Sequence, residues 1–232
     1  MIKLEDVKDL DIGKDHLFVD QNGMRVLIRV DQDECATEDP LQDMDAQGRI
    51  YSFNRRHNSC IDEGLPSNVN DLPGFLDRKF GKDCWVLLSY FEHGNCLWFP
   101  KADERTRSML SGDFRWDGCS TAGVWVMDKY LKKDIRAAMK RNKLTRGQQM
   151  HQWAQEACEL FTAYCNGECY CFFVKVQGAE PDSCGGYWGN DLDYMWEEIR
   201  SNLKRHHVET LVPVDEFVES TAALEVLALQ HS

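Results

Sequence analysis

The strongest strand signal in the chain is Cys84-Trp-Val-Leu-Leu-Ser-Tyr-Phe91, a nearly continuous apolar run. A run of this length is typical of a strand, and apolar side chains on both faces favour a central position in a sheet. After the turn residues at 93–95, Cys96-Leu-Trp-Phe99 can pair back on the first run as a hairpin. This segment therefore predicts antiparallel β-structure at the centre of the fold.

Further strands and helices are predicted on both sides of this hairpin. β-Branched or alternating segments predict strands at 24–30, 49–53, 123–127 and 169–176. Helical periodicity and capping residues predict helices at 73–80, from Asp128 through a basic segment, from Thr145 to Cys165, at 191–205 and, as an amphipathic helix, at about 214–230. Glycines at 185–189 predict a tight connection. The whole pattern predicts a single α+β domain over residues 1–232, with a mainly antiparallel sheet of about five strands and helices packed on one face.

The composition is that of a globular protein in a reducing compartment. The chain has 232 residues, 43% of them hydrophobic, which is enough for a sizeable core. Its start lacks the basic residues and apolar run of a signal peptide, and its apolar runs are too short to span a bilayer. We therefore expect a cytoplasmic protein without a membrane partner, whose ten cysteines are reduced and packed as small apolar side chains.

Charge is unevenly distributed along the chain, whose net charge is −12. The acidic stretch, residues 31–45, holds seven acids and no base and predicts an exposed loop. Its candidate contacts for a partner are Asp33, Glu34, Glu38, Asp39, Asp43 and Asp45. A basic helix predicted at 129–146 could instead contact phosphates through Lys129, Lys132, Lys133, Arg136, Lys140 and Arg141. A solvated helix face is the simpler interpretation, because the surface as a whole, with a net charge of −12, lacks the excess of Lys and Arg that phosphate binding requires.

Cysteine and histidine patterns suggest two further sites. Thiols at Cys165, Cys169, Cys171 and Cys184 could complete a tetrahedral zinc shell, but their spacing is poor and structural thiols are the favoured interpretation. His57 and Cys60 could form a nucleophilic pair, although no third group can be named to orient it.

Carboxylates offer a third possibility, a site for Mg²⁺ or Ca²⁺ such as a metal-dependent hydrolase or nuclease would use. Its candidate ligands are Asp31, Asp33, Glu34 and Asp117. A solvated acidic loop and an Asp-Gly turn are the simpler interpretation. Since the chain also lacks a phosphate loop, a nucleophile elbow and a zinc-protease helix, we expect no cofactor, no metal and no catalytic residue.

Three segments share their order and spacing with a known family. The first runs from Asp33-Glu34 through Gly48-Arg-Ile-Tyr-Ser-Phe-Asn-Arg-Arg-His57, and the second is Trp116-Asp117-Gly-Cys-Ser-Thr-Ala-Gly123-Val-Trp-Val126. The third joins Asn166-Gly167-Glu-Cys-Tyr170 to Asp182-Ser-Cys184-Gly-Gly-Tyr-Trp-Gly189. Together they resemble a family of uncharacterised accessory proteins of bacteriophages and other mobile elements. Motif residues to which no role can be given are Arg55, Arg56, His57, Trp116, Asp117 and Asp182.

The resemblance implies a setting in a bacterial host cell rather than a reaction. Small accessory proteins of mobile elements often bind and block a host protein, including CRISPR and restriction components. We therefore expect a non-enzymatic, anti-defence protein that inhibits a host protein, with acidic mimicry of nucleic acid as one means of recognition. The alternatives are the metal-dependent hydrolase or nuclease and the nucleic-acid-binding module described above.

Overall fold

The computed structural model describes residues 1–8, 10–54, 56–57, 71–110, 112–189 and 192–215. Within these residues the chain forms two compact units. Unit 2 is one continuous segment, Thr37–Glu168, whereas unit 1 combines the segment before it, Met1–Ala36, with the segment that begins at Cys169. The predicted α+β class is confirmed, and the strand pairs are antiparallel.

The secondary structure can be given in chain order. The strands are β1 (Ile2–Lys3), β2 (Lys14–Asp20), β3 (Arg25–Gln32), β4 (Arg49–Ser52), β5 (Trp85–His93), β6 (Asn95–Pro100), β7 (Gly118–Val126), β8 (Cys169–Val176), β9 (Asp182–Trp188) and β10 (Thr210–Pro213). The α-helices are α1 (Pro40–Asp43), α2 (Leu72–Phe80), α3 (Glu104–Met109), α4 (Phe114–Asp117), α5 (Lys129–Asn142), α6 (Arg146–Cys165) and α7 (Leu192–Arg205). Among the described residues, no helix combines the length and apolarity that crossing a bilayer requires.

Unit 1 is built on a six-stranded sheet with the order β1-β10-β2-β3-β8-β9. Val26, Ile28 and Val30 alternate along β3, share one face and are buried in the core of this unit. Helix α7 covers this face with a buried stripe that includes Ile199 and Leu203. The core of unit 1 therefore lies between α7 and the centre of the sheet.

Unit 2 is built on a four-stranded sheet with the order β4-β7-β5-β6. The predicted hairpin is confirmed as β5 and β6, and β5 lies inside the sheet between β6 and β7. Leu76 of α2 packs on Val124, while Phe161 of α6 packs on Trp98 with ring centroids 5.3 Å apart. Val124 faces away from Trp98 because side chains alternate along paired strands. Helices thus cover both faces of this sheet, where the sequence predicted one.

Helix starts were predicted best, because capping side chains mark them. Asp128 accepts hydrogen bonds from the backbone of Tyr130 and Leu131 and caps α5, and Thr145 forms a capping box with Gln148 at the start of α6. The basic segment is therefore two helices, since α5 ends at Asn142 and α6 begins at Arg146.

Three other predictions differ from the structure. Residues 185–189 were predicted as a tight connection, but most of them belong to β9, which pairs with β8 across a bulge. The described residues contain ten strands in two sheets rather than about five in one. The predicted C-terminal helix at about 214–230 lies almost entirely outside the described residues, and β10, just before it, was not predicted.

Candidate functional site

A concavity of about 610 Å³ opens on unit 2. Its lining is mostly polar and charged. The side chains that matter most for its chemistry are Asn54, Arg56, Tyr90, Glu92, His93, Trp116 and Asp117.

Three parts of unit 2 supply these residues, and the segment just after β4 contributes Asn54 and Arg56. Strand β5 contributes Tyr90 and Glu92, which point to the same side because they are two positions apart. Helix α4 contributes its last two residues, Trp116 and Asp117. Gly118 then starts β7, and a Cβ atom there would lie 2.5 Å from the carbonyl oxygen of Phe114, so only glycine allows the chain to leave α4 so closely.

A chain of hydrogen bonds crosses one side of the concavity. The guanidinium of Arg56 donates to Oε1 of Glu92 at 2.9 Å, and the hydroxyl of Tyr90 donates to Oε2 of the same carboxylate at 2.5 Å. His57 Nε2 lies 3.0 Å from the Tyr90 oxygen. Because Tyr90 uses its only hydrogen on Glu92, His57 is the donor in this bond.

These contacts shift the pKa values of the network. The Tyr90 hydroxyl and the Arg56 guanidinium stabilise the carboxylate and lower the pKa of Glu92. Burial, aided by the bond to Glu92, raises the pKa of Tyr90 above its ordinary value. Burial also lowers the pKa of His57, which favours the neutral imidazole. At neutral pH the network therefore consists of an anionic Glu92, a phenol and a neutral histidine.

The lining of the concavity also includes an ion pair and an exposed indole. His93 Nδ1 lies 3.0 Å from Oδ2 of Asp117, and this bond raises the pKa of His93. The neighbouring Trp116 is 81% exposed, and the guanidinium of Arg115 lies 5.8 Å from the centroid of its ring. A tryptophan this exposed leaves a large apolar surface in water.

Behind Tyr90 lies a cluster that the sequence analysis missed. A ring nitrogen of His57 and the sulfur atoms of Cys96 and Cys165 all lie within 4.8 Å of one another. Cys96 is buried on β6, and Cys165 is half-buried at the last position of α6. The Cys165 thiol donates towards Cys96, which lowers the pKa of Cys96 and raises that of Cys165.

Strand and helix are held together at this cluster by hydrogen bonds. Asn166 accepts from the backbone N–H of Cys96 at 2.9 Å through Oδ1 and donates to its carbonyl at 3.1 Å through Nδ2. The hydroxyl of Thr162 accepts from the backbone N–H of Trp98 at 2.9 Å. The two sulfur atoms are therefore brought together by the packing of α6 on β6.

The structure brings together motif residues from two separate segments. Arg56, Trp116 and Asp117 line the concavity, and His57 is bonded to Tyr90 beside it. Arg55 lies outside the described residues.

Asp182, from the third segment of the resemblance, belongs to unit 1. It accepts hydrogen bonds from Asn202 and from Arg205 and so ties β9 to α7. Its role in the structure is therefore to hold a strand to a helix.

The acidic stretch is not one uniform exposed surface. Asp39 is only 2% exposed, and its carboxylate accepts from the backbone of Leu41 at the start of α1, so the expectation that it faces a partner is wrong. Asp33 is half-buried and accepts from the backbone of Cys35 and Gly186. The stretch is also divided, because unit 1 ends its first segment at Ala36.

For the remaining acids of the stretch, contact with a partner is still a hypothesis. Glu34, Glu38 and Asp45 are exposed, and partner contact through them stays a prediction. Asp43 ends α1, and its side chain lies outside the described part of the structure.

The basic helix agrees with its prediction in one respect. Ile135 and Ala138 of α5 are buried against unit 2, as expected. Its candidate phosphate contacts are all exposed: Lys129, Lys132, Lys133, Arg136, Lys140 and Arg141. Three of them have partners within the protein: Lys132 donates to the carbonyl of Phe80, Arg141 lies 3.4 Å from Asp134, and Lys129 lies 4.6 Å from the centroid of the Tyr130 ring.

The carboxylate set proposed for Mg²⁺ or Ca²⁺ is not brought together among the described residues. Asp31 pairs with Arg29, and Asp117 pairs with His93. Glu34 is exposed, and Asp33 is held by backbone donors. The four acids are moreover divided between the units, because Asp117 belongs to unit 2.

The predicted cysteine set is divided in the same way. Cys169, Cys171 and Cys184 belong to unit 1, whereas Cys165 belongs to unit 2. Burial raises the pKa of Cys169 to about 11, as expected of a structural thiol. Cys60, the proposed partner of His57, lies outside the described residues.

Sequence reasoning missed Tyr90, Glu92 and Cys96 as site residues, because β5 and β6 were interpreted only as core strands. The one available signal was their alternation, which places Tyr90 and Glu92 on the same face as Cys96 across the hairpin. Comparison with protein-family models, with curated proteins and with solved structures finds no match to this chain.

Proposed function

We propose that this protein is a non-enzymatic accessory protein of a phage or another mobile element, which acts in the host cytoplasm by binding and blocking a host protein. The concavity of unit 2 is its binding site. The observation that carries this proposal is Trp116, which is 81% exposed at a concavity lined by charged side chains.

An exposed tryptophan is the residue that a protein interface uses best. Tryptophan, tyrosine and arginine are enriched among the residues that dominate the free energy of protein binding, and the rigid ring of tryptophan buries a large area at a small cost in conformational entropy. Arg56 and Arg115 flank the same region of unit 2, and the side chain of Arg56 is 74% exposed. Trp116 would bury its ring under the partner, and the two arginines would contact its polar rim.

The charges of the concavity favour a protein segment as the bound group. Arg56 is paired with Glu92, and His93 is paired with Asp117, so the site presents both signs within one surface. A ligand with a single charge would break one of these pairs. A polypeptide has donors and acceptors along its backbone and can satisfy both.

The binding site is tested with the full chain and a matched control. Full-length protein immobilised on beads should capture one host protein from lysate, which mass spectrometry identifies, and the Kd is then measured with the purified partner. We expect Trp116→Ala to weaken binding by 2 kcal/mol or more, about 30-fold, as for other interface hot spots. Met109→Ala should bind like the wild type, because Met109 is also 78% exposed on unit 2 but does not line the concavity.

Equal affinity of wild type and Trp116→Ala for the captured protein would remove the concavity from the binding site.

The stoichiometry of inhibition distinguishes a blocking protein from an enzyme. A blocking protein inhibits CRISPR or restriction activity in proportion to its amount and reaches full inhibition near one chain per target. A metal-dependent hydrolase or nuclease would instead act at a small fraction of that ratio.

Acidic mimicry of nucleic acid is a more specific form of the same proposal. It would rest on the exposed carboxylates Glu34, Glu38 and Asp45. Changing all three to the amides should then slow association with the host protein by about tenfold or more, with a smaller effect at high salt. An unchanged association rate would leave recognition to the concavity alone.

The second candidate function, a nucleic-acid-binding module, is favoured by one observation. Helix α5 carries six basic side chains, all of them exposed, and a single acid, Asp134. A stripe of this kind can follow a phosphate backbone without reading its sequence.

A further inference from the structure

We propose that His57, Cys96 and Cys165 bind a thiophilic divalent cation of the zinc class. Their ligand atoms lie within 4.8 Å of one another. Among the described residues, no other histidine, cysteine or acidic side chains form a group of three or more that could hold a metal ion. The set differs from the one that the spacing of Cys165, Cys169, Cys171 and Cys184 suggested, and it shares only Cys165 with it.

The spread of the ligand atoms is close to that of a filled site. Zinc lies about 2.3 Å from sulfur and about 2.0–2.1 Å from nitrogen, so neighbouring ligands on a tetrahedral ion are roughly 3.5–3.8 Å apart. The observed separations of 4.8 Å or less therefore exceed those of a filled site by about 1 Å at most.

The hydrogen bonds around Tyr90 fix the tautomer of His57. Tyr90 donates to Glu92 and therefore accepts from Nε2 of His57. In that tautomer the lone pair is on Nδ1, so binding of an ion requires this nitrogen to be the one that faces the sulfur atoms. Histidine ligands in metal sites usually donate their second ring N–H to a carboxylate or carbonyl oxygen, and here a tyrosine relays that bond to the carboxylate of Glu92.

The sulfur atoms are held in place before any ion binds. Asn166 bonds both backbone groups of Cys96, and Thr162 bonds the backbone of Trp98 two residues further along β6. Cys165 directly precedes Asn166 and shares this anchorage. Two of the three ligands thus lie on regular secondary structure, which places a site more precisely than loops do.

A buried donor beside the cluster gives independent support. The side chain of Trp98 is fully buried, and its Nε1–H makes no well-formed hydrogen bond among the described residues; the group it acts on is the sulfur of Cys165. Its ring lies 6.4 Å from that of His57 and 4.8 Å from that of Tyr90. A buried N–H without an acceptor is costly, and a metal-bound thiolate is an acceptor that the neutral thiols do not match.

The chemistry of the three ligands selects the class of ion. Two thiolates and an imidazole suit zinc, whereas magnesium and calcium require oxygen ligands. Three protein ligands leave one tetrahedral position, which a water molecule can fill.

The test uses the full-length chain, freed of metal by a chelator and kept reduced. Zinc added under competition with a chromophoric chelator should bind at one equivalent per chain. Cobalt added instead should give the intense visible bands of a tetrahedral ion and a sulfur-to-cobalt charge-transfer band. The absence of that charge-transfer band in the wild type would overturn the proposal without reference to any variant.

Variants then assign the ligands. Cys96→Ser and Cys165→Ser should each lose the stoichiometric ion, and Tyr90→Phe, which removes only the acceptor for His57, should weaken zinc binding by about 10–100-fold. Cys119→Ser is the matched control, since Cys119 is an exposed cysteine of the same unit. It should bind zinc like the wild type.

A second control separates this site from the one suggested by sequence spacing. The double variant Cys171→Ser, Cys184→Ser should keep the ion. Loss of zinc in that variant, or full retention in both Cys96→Ser and Cys165→Ser, would show that the ligands lie elsewhere. A wild-type chain that never binds more than a small fraction of an equivalent would also overturn the proposal.

Discussion

At the scale of single residues, the ion pair between His93 and Asp117 determines how one side of the concavity responds to pH. The Asp117 carboxylate stabilises the imidazolium and raises the pKa of His93 above 6.5. A raised histidine pKa means that the pair is fully formed below pH 6.5 and is lost as the pH rises through the higher value. The ion pair between His93 and Asp117 at the concavity is therefore more fully formed in mild acid than at higher pH.

This pH dependence can be measured by NMR titration of the histidine ring protons. We expect His93 to titrate above 6.5 in the wild type and Asp117→Asn to bring its pKa back towards that value. Asp113→Asn serves as the control, because Asp113 acts on His93 only through a weaker, more distant charge interaction, and it should lower the pKa much less. An unchanged pKa of His93 in Asp117→Asn would contradict the pairing.

Two single residues show what sequence alone could not reveal. Asp39 lies in a stretch with six other acids, and the composition of that stretch predicts an exposed side chain. Its position before Pro40 instead makes it the buried N-cap of α1. His57 and Cys165 are more than a hundred positions apart, and no local pattern connects them. Such a site depends on tertiary packing, which periodicity does not encode.

At the scale of elements, prediction succeeded where the signal is local. β5 is a continuous apolar run, and α6 begins at a capping box, so both were found close to their true bounds. β2 was missed because Lys14-Asp15-His16 hides its alternation, and β9 was missed because Gly185 and Gly186 resemble a turn. Both strands are specified by partners in the sheet rather than by their own residues.

The basic helix α5 gives a prediction at this scale. Despite its exposed cations, we expect duplex DNA to bind at physiological salt with a Kd no tighter than micromolar, because the whole chain carries a net charge of −12. Gel-shift or fluorescence anisotropy measurements over a range of salt concentrations test this.

A combined variant of the helix makes the measurement decisive. Lys133→Glu, Arg136→Glu and Lys140→Glu avoid Lys132 and Arg141, whose side chains have partners in the protein. We expect the variant to bind duplex DNA as weakly as the wild type. Nanomolar, salt-sensitive binding by the wild type that this variant abolishes would establish the second candidate function instead.

At the scale of the whole molecule, the cysteines of the two units differ widely in how far they are buried. The nine described cysteines are free thiols, of which Cys35, Cys119 and Cys184 are exposed. Cys158 is fully buried, and burial raises its pKa well above the ordinary value, so it is doubly protected from reagents that attack thiolates.

Thiol titration should therefore separate the cysteines by rate. Under denaturing, non-reducing conditions we expect a count of ten. In the native protein, Cys119→Ser should remove one equivalent from the fast phase, whereas Cys158→Ser should leave the fast phase unchanged. A denatured count of eight or fewer would contradict the prediction that the cysteines are reduced.

The division of the chain into a continuous unit 2 and a discontinuous unit 1 has a consequence for biosynthesis. When Glu168 has just emerged from the ribosome, every described strand of the unit 2 sheet is outside it. At that stage β3 still lacks its neighbour β8, and β2 still lacks its neighbour β10. Strand pairs this far apart in sequence form late and slowly. The nascent chain must therefore carry the N-terminal hairpin of unit 1 with one apolar face uncovered while unit 2 folds, so stalled translation intermediates should be cleaved by protease before Ala36 much sooner than after it.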